Sequence, residues 1–378
     1  MPRKILHLDL DAFFCAVEEQ RDPSLSGRAF AVGGRPEQRG VVASCSYAAR
    51  RHGIHSAMPM ARALKLCPNL IIVSGRHSTY SQVSRQVMER LWALTEQVEQ
   101  VSIDEAFLDV TDLPDPGEEI ARQLQTKIWD ELGLPCSLGV ATNKLVAKIA
   151  NDAGKAGANK SGPPNAITVV PPGKEGEFLA PLPVRALWGV GPKTEARLAE
   201  MGIQNIGDLA AWPEEELARL FGKNGRDLAR RANGQDDSPI VTTHTAKSVS
   251  QETTFARDIR DTQALRKTLL ELSEGVARQL QEAGLCCQTI KIKLRWSDFT
   301  TITRQVTLEI QTDKPADIYE TALVLFEKAW LPKRPVRLLG VGASGLSDNT
   351  ESKRGYRQLQ LWEQDPNKNR GLKDTSAN

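Results

Sequence analysis

The stretch KILHLDLDAFFCAVEEQ, residues 4–20, changes its hydrophobic period halfway along. Its first half alternates apolar and polar positions: Leu6, Leu8 and Leu10 against His7, Asp9 and Asp11. A period of two is typical of a β-strand with one buried face. From Phe13 to Gln20 the pattern becomes helical. The chain therefore begins with a strand that carries carboxylates and continues directly into a helix.

A second segment with carboxylates is VEQVSIDEAFLDVT, residues 98–111, which predicts two strands meeting at a tight corner. Asp104 and Glu105 lie at that corner. Neighbouring residues of a regular strand point to opposite faces, so both can serve one site only where the chain bends. Phosphoryl transfer commonly uses two Mg²⁺ ions held by such carboxylates. A lone strand carboxylate, in contrast, is more often a solvent-facing residue.

The composition excludes several classes of protein. With 378 residues the chain exceeds the roughly 250 to 300 that one core can hold, so several domains are expected. A net charge of +2 argues neither for nor against a nucleic-acid partner. The six cysteines form no C-x-x-C pair, which fits a reducing cytoplasm. No stretch approaches the roughly 20 apolar residues that span a bilayer, so we expect a cytoplasmic protein without a membrane partner.

The rest of the chain divides by composition. Short helical patterns with glycine turns occupy residues 174–232, and a polar segment at 233–245 has the composition of a linker. The last unit has the order strand, helix, strand, strand, helix, strand and ends near Leu346. In the first unit, residues 57–67 and a stretch beginning at Thr142 are predicted helices, with Thr142 as the N-cap of the second.

Three segments together resemble the signature sequences of Y-family DNA polymerases: HLDLDAFFCAVEE (7–19), SCSYAARRHGIHSAMP (44–59) and SIDEAFLDV (102–110). The sequences of the linker (233–245) and of the helix-hairpin-helix segment (187–203) are closer to the DinB branch than to the UmuC-like branch, although both branches stay open. The resemblance implies an α+β multidomain protein, a right-hand polymerase with a C-terminal little-finger domain. The implied domains are palm 1–11 and 77–170, fingers 12–76, helix-hairpin-helix thumb 171–232, linker 233–246, little finger 247–346 and tail 347–378.

The resemblance also implies an activity, the addition of dNTPs to a primer 3′-hydroxyl opposite a template in error-prone translesion synthesis. The catalytic carboxylates would be Asp9, Asp104 and Glu105, which hold two Mg²⁺ ions together with the carbonyl of Leu10. Asp11 matches an acidic position that is not usually a ligand. Two rival functions are a non-catalytic DNA-binding or clamp-adaptor protein and a two-metal nuclease.

The nucleotide site implied by the resemblance draws on several segments. Its members are Phe13, Phe14, Ser44, Tyr47, Arg50 and Lys155. Tyr47 and Arg50 would contact the β- and γ-phosphates, and their spacing of three residues on a helical turn puts them on one face. Phe14 would be the steric gate against ribose, while Phe13 is a candidate core residue. Lys160 competes with Lys155 for the triphosphate.

Two features suggest contacts with primer-template DNA. Gly189 and Gly191 in LWGVGPKTEARLAEMGI (187–203) resemble a helix-hairpin-helix turn, whose backbone N–H groups can cradle a phosphate. In TIKIKLRW (289–296) the alternation puts Lys291, Lys293 and Arg295 on one strand face. That face could bind phosphates or could simply be solvated.

The polar tail contains the sequence QLQLW at residues 358–362. It resembles the short motif by which bacterial polymerases bind the sliding clamp, with Gln358, Leu359, Leu361 and Trp362 as the contacting residues. A few apolar anchors in a polar tail are a usual mode of recognition. The expected partners are therefore primer-template DNA, dNTP and the clamp, and we expect the protein to be a monomer.

Overall fold

The structure is a computed structural model that describes residues 2–158, 162–243, 245–331 and 334–349. Two compact units divide the chain, residues 1–244 and 245–378. Lys160 and the candidate clamp motif at 358–362 lie outside the described residues. No helix in the described ranges is long and apolar enough to cross a membrane.

The first unit contains eight strands and eleven α-helices in its described part. The strands are β1 (Ile5–Leu10), β2 (Phe30–Gly33), β3 (Val42–Cys45), β4 (Ile71–Val73), β5 (Val98–Gln100), β6 (Glu105–Asp109), β7 (Cys136–Ala141) and β8 (Ile167–Val169). The helices are α1 (Phe13–Arg21), α2 (Tyr47–Arg50), α3 (Met60–Leu66), α4 (His77–Trp92), α5 (Gly117–Leu132), α6 (Lys144–Gly157), α7 (Glu175–Leu179), α8 (Pro192–Glu200), α9 (Ile206–Ala210), α10 (Glu214–Phe221) and α11 (Lys223–Ala232).

The opening strand β1 is the centre of a five-stranded sheet with the order β5-β6-β1-β7-β8. Its antiparallel neighbours are β6 and β7. The predicted alternation is confirmed, because Leu6, Leu8 and Leu10 lie in a core shared with α1, α4 and α5. The opposite face is not solvated, since α6 covers it with Leu145, Val146 and Ile149. Both faces of the strand are thus packed, and Asp9 lies on the α6 side.

The start of α6 differs from the sequence prediction. The N-cap is Asn143, whose side-chain oxygen accepts the N–H of Val146 at 2.9 Å. Thr142 is not the cap, because its hydroxyl instead donates to Glu175 at 2.5 Å. Asn143 has an extended backbone with φ −151°, as N-cap residues usually do. The helix therefore begins at Lys144.

A small sheet with the order β3-β2-β4 carries α2 and α3. The prediction of a helix over 57–67 is wrong at its beginning. Ala57 donates its N–H to the carbonyl of Val42, and Val42 donates back to the carbonyl of Met58. These residues extend the β3 edge, and Ala57 has a positive φ of 66°. The helix can start only after this pairing, at Met60.

The second unit has the predicted order of elements: β9 (Ser248–Ile259), α12 (Thr262–Glu282), β10 (Leu285–Trp296), β11 (Thr301–Thr312), α13 (Pro315–Ala329) and β12 (Val336–Asp348). The strands form an antiparallel sheet with the order β11-β10-β12-β9. On β10 the residues Ile290, Ile292 and Leu294 are buried in a core with α12 and α13. The alternate residues of β10 lie on the opposite face of the sheet, which we call the open face.

Candidate active site

The three predicted carboxylates lie together at one end of the five-stranded sheet. Asp9 on β1 is directly opposite Glu105 on β6. Asp104 occupies the turn before β6, where its carbonyl accepts the N–H of Leu10 at 3.0 Å. Its carboxylate accepts the hydroxyl of Ser102 at 2.6 Å. The bend between β5 and β6 therefore brings adjacent carboxylates to one site, as the corner in the sequence predicted.

Helix α6 presents a polar face to these carboxylates. Lys148, Asn151 and Lys155 are three and four residues apart, so they project from the same side of the helix. Lys155 Nζ is 2.6 Å from Asp9 Oδ1, and Lys148 Nζ is 2.9 Å from Glu105 Oε2. The Asn151 amide lies 2.9 Å from His7 Nδ1. The sequence analysis did not predict roles for Lys148 and His7. For Lys148 a signal was available, because it lies seven residues before Lys155 and therefore on the same face of the helix.

The surroundings of Asp9 and Glu105 shift the pKa values of these two facing carboxylates in opposite directions. Burial raises the pKa of Asp9 to about 6, and the charges of Glu105 and Asp104 add to this while Lys155 opposes it. For Glu105, hydrogen bonding to the His7 imidazole and the nearby Lys148 ammonium lower the pKa to about 2. Burial also lowers the pKa of His7 itself. Desolvation dominates at Asp9, and donors dominate at Glu105.

A cavity of about 850 Å³ opens beside the carboxylates. That volume is in the range of small-molecule sites. Its wall includes the predicted residues Asp9, Leu10, Phe13, Phe14, Ser44, Tyr47, Arg50, Asp104 and Lys155. The Arg50 guanidinium lies 4.7 Å from the centroid of the Tyr47 ring. The fold thus brings together residues from separate segments of the sequence. Arg51, His55 and Ser56 also line the cavity and were not predicted.

The adjacent phenylalanines of α1 have different surroundings. Phe13 is 2% exposed and packs in the core of the five-stranded sheet. Phe14 is half-buried, and its ring stacks on Tyr80 with centroids 4.3 Å apart. The Tyr80 hydroxyl donates to the buried carboxylate of Glu18 at 2.7 Å. The Phe14 ring is therefore backed by a second ring that is itself held in place.

The glycine turn that was predicted to contact DNA lies directly before α8. Gly189 has φ +100°, and Gly191 is the N-cap residue of α8, whose first residue is Pro192. Arg231 donates to the carbonyl of Trp188 beside this turn at 3.2 Å.

On the open face, Lys291, Lys293 and Arg295 are half-buried between fully buried neighbours. Lys293 is 2.7 Å from Glu252, and Arg295 donates to the hydroxyl of Thr301 at 2.8 Å. The predicted alternation of β10 is therefore seen in its burial.

The carboxylate cluster fits a hard divalent cation by its chemistry. Within the described ranges, no three acidic, histidine or cysteine side chains already surround one point. However, the charges of Glu105 and Asp104 both raise the pKa of Asp9, which shows mutual repulsion among the three groups. A dication relieves such repulsion, and carboxylate oxygens are the donors that hard cations prefer.

Comparison with known proteins identifies the family. Residues 8–152 match the impB/mucB/samB family, residues 246–361 match the C-terminal domain of that family, and residues 172–203 match the IMS family HHH motif. The chain belongs to the impB/mucB/samB family.

The similar proteins of known function are DNA polymerases. The chain is 42% identical over 345 residues to DNA polymerase IV of Desulfatibacillum aliphaticivorans, covering 90% of this chain and 85% of the relative. It is 39% identical over 347 residues to DNA polymerase IV of Listeria monocytogenes serotype 4b, covering 91% and 95%. A solved Y-family DNA polymerase chimera has a TM-score of 0.82 and 26% identity, with 92% of this chain and 100% of that chain covered.

This member of the impB/mucB/samB family is thus a Y-family, DNA-directed DNA polymerase of the translesion type. The right-hand polymerase fold inferred from the sequence is confirmed. Nothing supports the non-catalytic alternative. Membership of this family also implies that the reaction depends on a divalent metal.

Proposed function

We propose that the 850 Å³ cavity is the site of nucleotide addition and that its catalytic carboxylates are Asp9 and Asp104, which line it, and Glu105, which faces Asp9 across the sheet. The observation that carries this proposal is the pairing of two sets of residues across one cavity. Carboxylates from β1 and the β5–β6 turn form one wall, while Tyr47 and Arg50 of α2 form another. A carboxylate cluster suits metal ions, and a guanidinium beside a phenol suits a triphosphate.

The metal in this proposal is Mg²⁺, with two ions held by the three carboxylates and by the carbonyl of Leu10. When bound, the ions neutralise the charge that develops on the transferred phosphoryl group and favour ionisation of the primer 3′-hydroxyl. The protein itself contributes positioning. The carboxylates of Asp9, Asp104 and Glu105 and the carbonyl of Leu10 would supply the oxygen ligands, and the burial of Asp9 would limit the access of water to one side of the site.

The incoming dNTP would lie between α2 and α6. The Arg50 fork and the Tyr47 hydroxyl would bind the β- and γ-phosphates, with Ser44 at their base and Lys155 opposite. Phe14 would lie under the sugar, supported by the Tyr80 ring. Lys160, the competitor for the triphosphate, lies outside the described residues.

The domain assignment is part of the proposal. The five-stranded sheet with α4, α5 and α6 would be the palm, the β3-β2-β4 sheet with α2 and α3 the fingers, and α7 to α11 the thumb. The second unit would be the little finger. The Gly189–Gly191 turn and the three cations of the open face would bind the phosphate backbone of primer-template DNA, which needs charge and N–H donors but no base contacts.

The decisive test is single-nucleotide insertion on a primer-template with Mg²⁺. Asp104→Ala should abolish nucleotide addition while binding of primer-template DNA persists. Asp130→Ala removes an exposed carboxylate of α5 and serves as the matched control, with expected parental activity. Extension by Asp104→Ala at a rate near that of the parent would remove the carboxylate site from this cavity.

A further inference from the structure

Asp11 is a buried carboxylate that belongs to neither the metal site nor the cavity wall. Its side chain is 0% exposed. A buried carboxylate is costly unless donors surround it. Asp11 has three kinds of donor: the Ser137 hydroxyl at 2.9 and 3.1 Å, the backbone N–H of Asn165 at 3.0 Å, and the Lys155 ammonium at 3.1 Å. These contacts satisfy both carboxylate oxygens.

The contacts of Asp11 reach two stretches that both line the cavity. Lys155 belongs to residues 155–158, of which Lys155, Ala156 and Ala158 face the cavity. Asn165 ends residues 162–165, of which Gly162 and Pro164 face it. One carboxylate therefore fastens a residue in each stretch to the end of β1.

The backbone at Asn165 has an uncommon conformation. Its φ of +45° lies in the left-handed region, which residues other than glycine adopt infrequently. Asp11 accepts the N–H of Asn165, and the Ser137 hydroxyl oxygen accepts the next N–H, that of Ala166, at 3.1 Å. Two consecutive N–H groups are thus held by a pair of side chains that also bond to each other.

Lys155 lies between two carboxylates with different exposure. Its ammonium is 2.6 Å from Asp9, which faces the cavity, and 3.1 Å from Asp11, which does not. Asp9 is the group that the proposed function gives to metal ions. The contact with Asp11 does not compete with them, so it can hold the ammonium at the cavity wall while Asp9 is engaged elsewhere.

We propose that Asp11 is a positioning residue for nucleotide binding, which holds Lys155 and the backbone of Asn165 so that the Lys155 ammonium meets the triphosphate of the incoming dNTP. This inference rests on the proposed function of the cavity. Asp11 acts through Lys155 and does not touch the nucleotide.

A double-mutant cycle on single-nucleotide insertion tests the inference. The proteins are the parent, Asp11→Asn, Lys155→Ala and the double variant. The amide that Asp11→Asn introduces can still accept the N–H of Asn165 but no longer attracts the ammonium. Loss of one charge-assisted bond predicts that Lys155→Ala raises the KM for dNTP by about tenfold or more. Asp11→Asn should raise KM by a similar factor with a smaller change in kcat, and the double variant should match Lys155→Ala alone.

The outcomes separate this inference from the proposed function. Effects of Asp11→Asn and Lys155→Ala that multiply in the double variant would overturn the role of Asp11 and leave the cavity assignment intact. An unchanged KM in Lys155→Ala would overturn the triphosphate contact and the inference with it. The Kd for primer-template DNA should stay at the parental value throughout.

A second variant covers the case in which Asp11→Asn does not fold. Ser137→Ala keeps the Asp11 charge but removes the hydroxyl that faces Asp11 and the N–H of Ala166. It should raise KM by a smaller factor, and this rise should vanish in the Lys155→Ala background. A rise that persists there would contradict the inference.

Discussion

Asp9 and Glu105 face each other across β1 and β6, yet their surroundings drive their pKa values in opposite directions. Burial raises the pKa of Asp9 to about 6, whereas the His7 imidazole and Lys148 lower that of Glu105 to about 2. Without metal, Glu105 is thus ionised over a wide pH range in which Asp9 is still protonated. The ionised form of Asp9 is therefore the energetically unfavourable charge state of this carboxylate in the folded protein.

Asp9→Asn should therefore stabilise the protein in a chelating buffer at alkaline pH. A folded-state pKa above the ordinary value of 3.8 contributes stability that is complete below about pH 4 and lost as the pH rises through 6. A shift of about two units corresponds to about 3 kcal/mol. Urea unfolding should show a gain of up to that size at pH 8 and almost none at pH 4. An equal gain at both pH values would contradict the assignment.

The same two proteins in Mg²⁺ at pH 8 provide the control, because the metal should narrow the difference between Asp9→Asn and the parent. An ion that binds only the folded state raises the free energy of unfolding in proportion to the logarithm of its concentration over Kd. The parent should gain stability, and Asp9→Asn should gain much less. Urea unfolding over a Mg²⁺ titration measures this without reference to activity. Parallel gains in both proteins would mean that the ion binds away from Asp9.

The sequence predicted the strands of the site better than it predicted the partners of the carboxylates. The alternation of β1 and the corner before β6 are local patterns, and both are seen in the structure. The contact of Lys148 with Glu105 joins residues 43 apart in the chain, and only the packing of α6 on the sheet creates it. The burial of Asp11 likewise depends on Ser137 and Asn165, which no local pattern connects to it.

The two wrong predictions of where a helix begins also have physical causes. Ala57 has a helical sequence context, but its N–H pairs with Val42, and tertiary pairing overrides propensity. At the start of α6, Thr142 and Asn143 are both good caps, and the bond of Thr142 to Glu175 decides between them. Glu175 lies 33 residues away, so the choice could not be made from neighbouring residues.

Part of the predicted linker is fixed to the first unit. Residues 234–241, which we call the strap, form five hydrogen bonds with residues 3–145 of that unit. Four are accepted by the strap: Asn143 donates to Gly234, Leu145 to Asp236, Arg3 to Ser238 and Lys144 to Pro239. In the fifth, the N–H of Val241 donates to Glu99. Glu99 and Lys144 form an ion pair of 2.6 Å with side chains only 10% and 7% exposed. The strap therefore ends on a buried ion pair.

Breaking that ion pair should destabilise the first unit and release the strap. Glu99→Gln or Lys144→Met leaves the other charge buried and unpaired, at a cost of about 3 to 5 kcal/mol. The double variant should cost far less than the sum, because no buried charge remains. Urea unfolding and hydrogen exchange at the N–H of Val241 measure the two effects. Single variants within about 1 kcal/mol of the parent would show that water solvates the pair.

Neutralising the open face should weaken DNA binding and its dependence on salt. Phosphate contacts release counterions, with about 0.9 units of log Kd per log salt for each contact to a duplex. The triple variant of Lys291, Lys293 and Arg295 to Gln should lower that slope by about 2 to 3 units for any DNA sequence. The matched control neutralises Lys267, Arg278 and Lys328, exposed residues on α12 and α13. Equal slopes in the two triple variants would mean that the open face is merely solvated.

The tail sequence QLQLW at 358–362, the predicted clamp motif, lies outside the described residues, so a functional experiment is needed to test the clamp contact. Deleting residues 357–363 should leave unassisted synthesis at the parental rate but remove stimulation by a bacterial sliding clamp. A short linear motif contributes recognition and no chemistry. Primer extension with and without the clamp measures both quantities. Stimulation that survives the deletion would show that the resemblance is accidental.

Phe14→Ala should raise the incorporation of ribonucleotides sharply and leave dNTP addition comparatively intact. The half-buried Phe14 ring lines the cavity against Tyr80, whereas Phe13 is 2% exposed in the core. A ring under the sugar causes a 2′-hydroxyl both a clash and lost hydration. Each tenfold change in selectivity corresponds to about 1.4 kcal/mol, so a clash of a few kcal/mol gives about two to three powers of ten. Phe13→Ala should instead cost about 3 to 5 kcal/mol of stability through a core cavity. Single-nucleotide kinetics with rNTP and with dNTP, together with urea unfolding of both variants, separate the two roles. Greater tolerance of rNTP in Phe13→Ala than in Phe14→Ala would show that Phe13 is the steric gate.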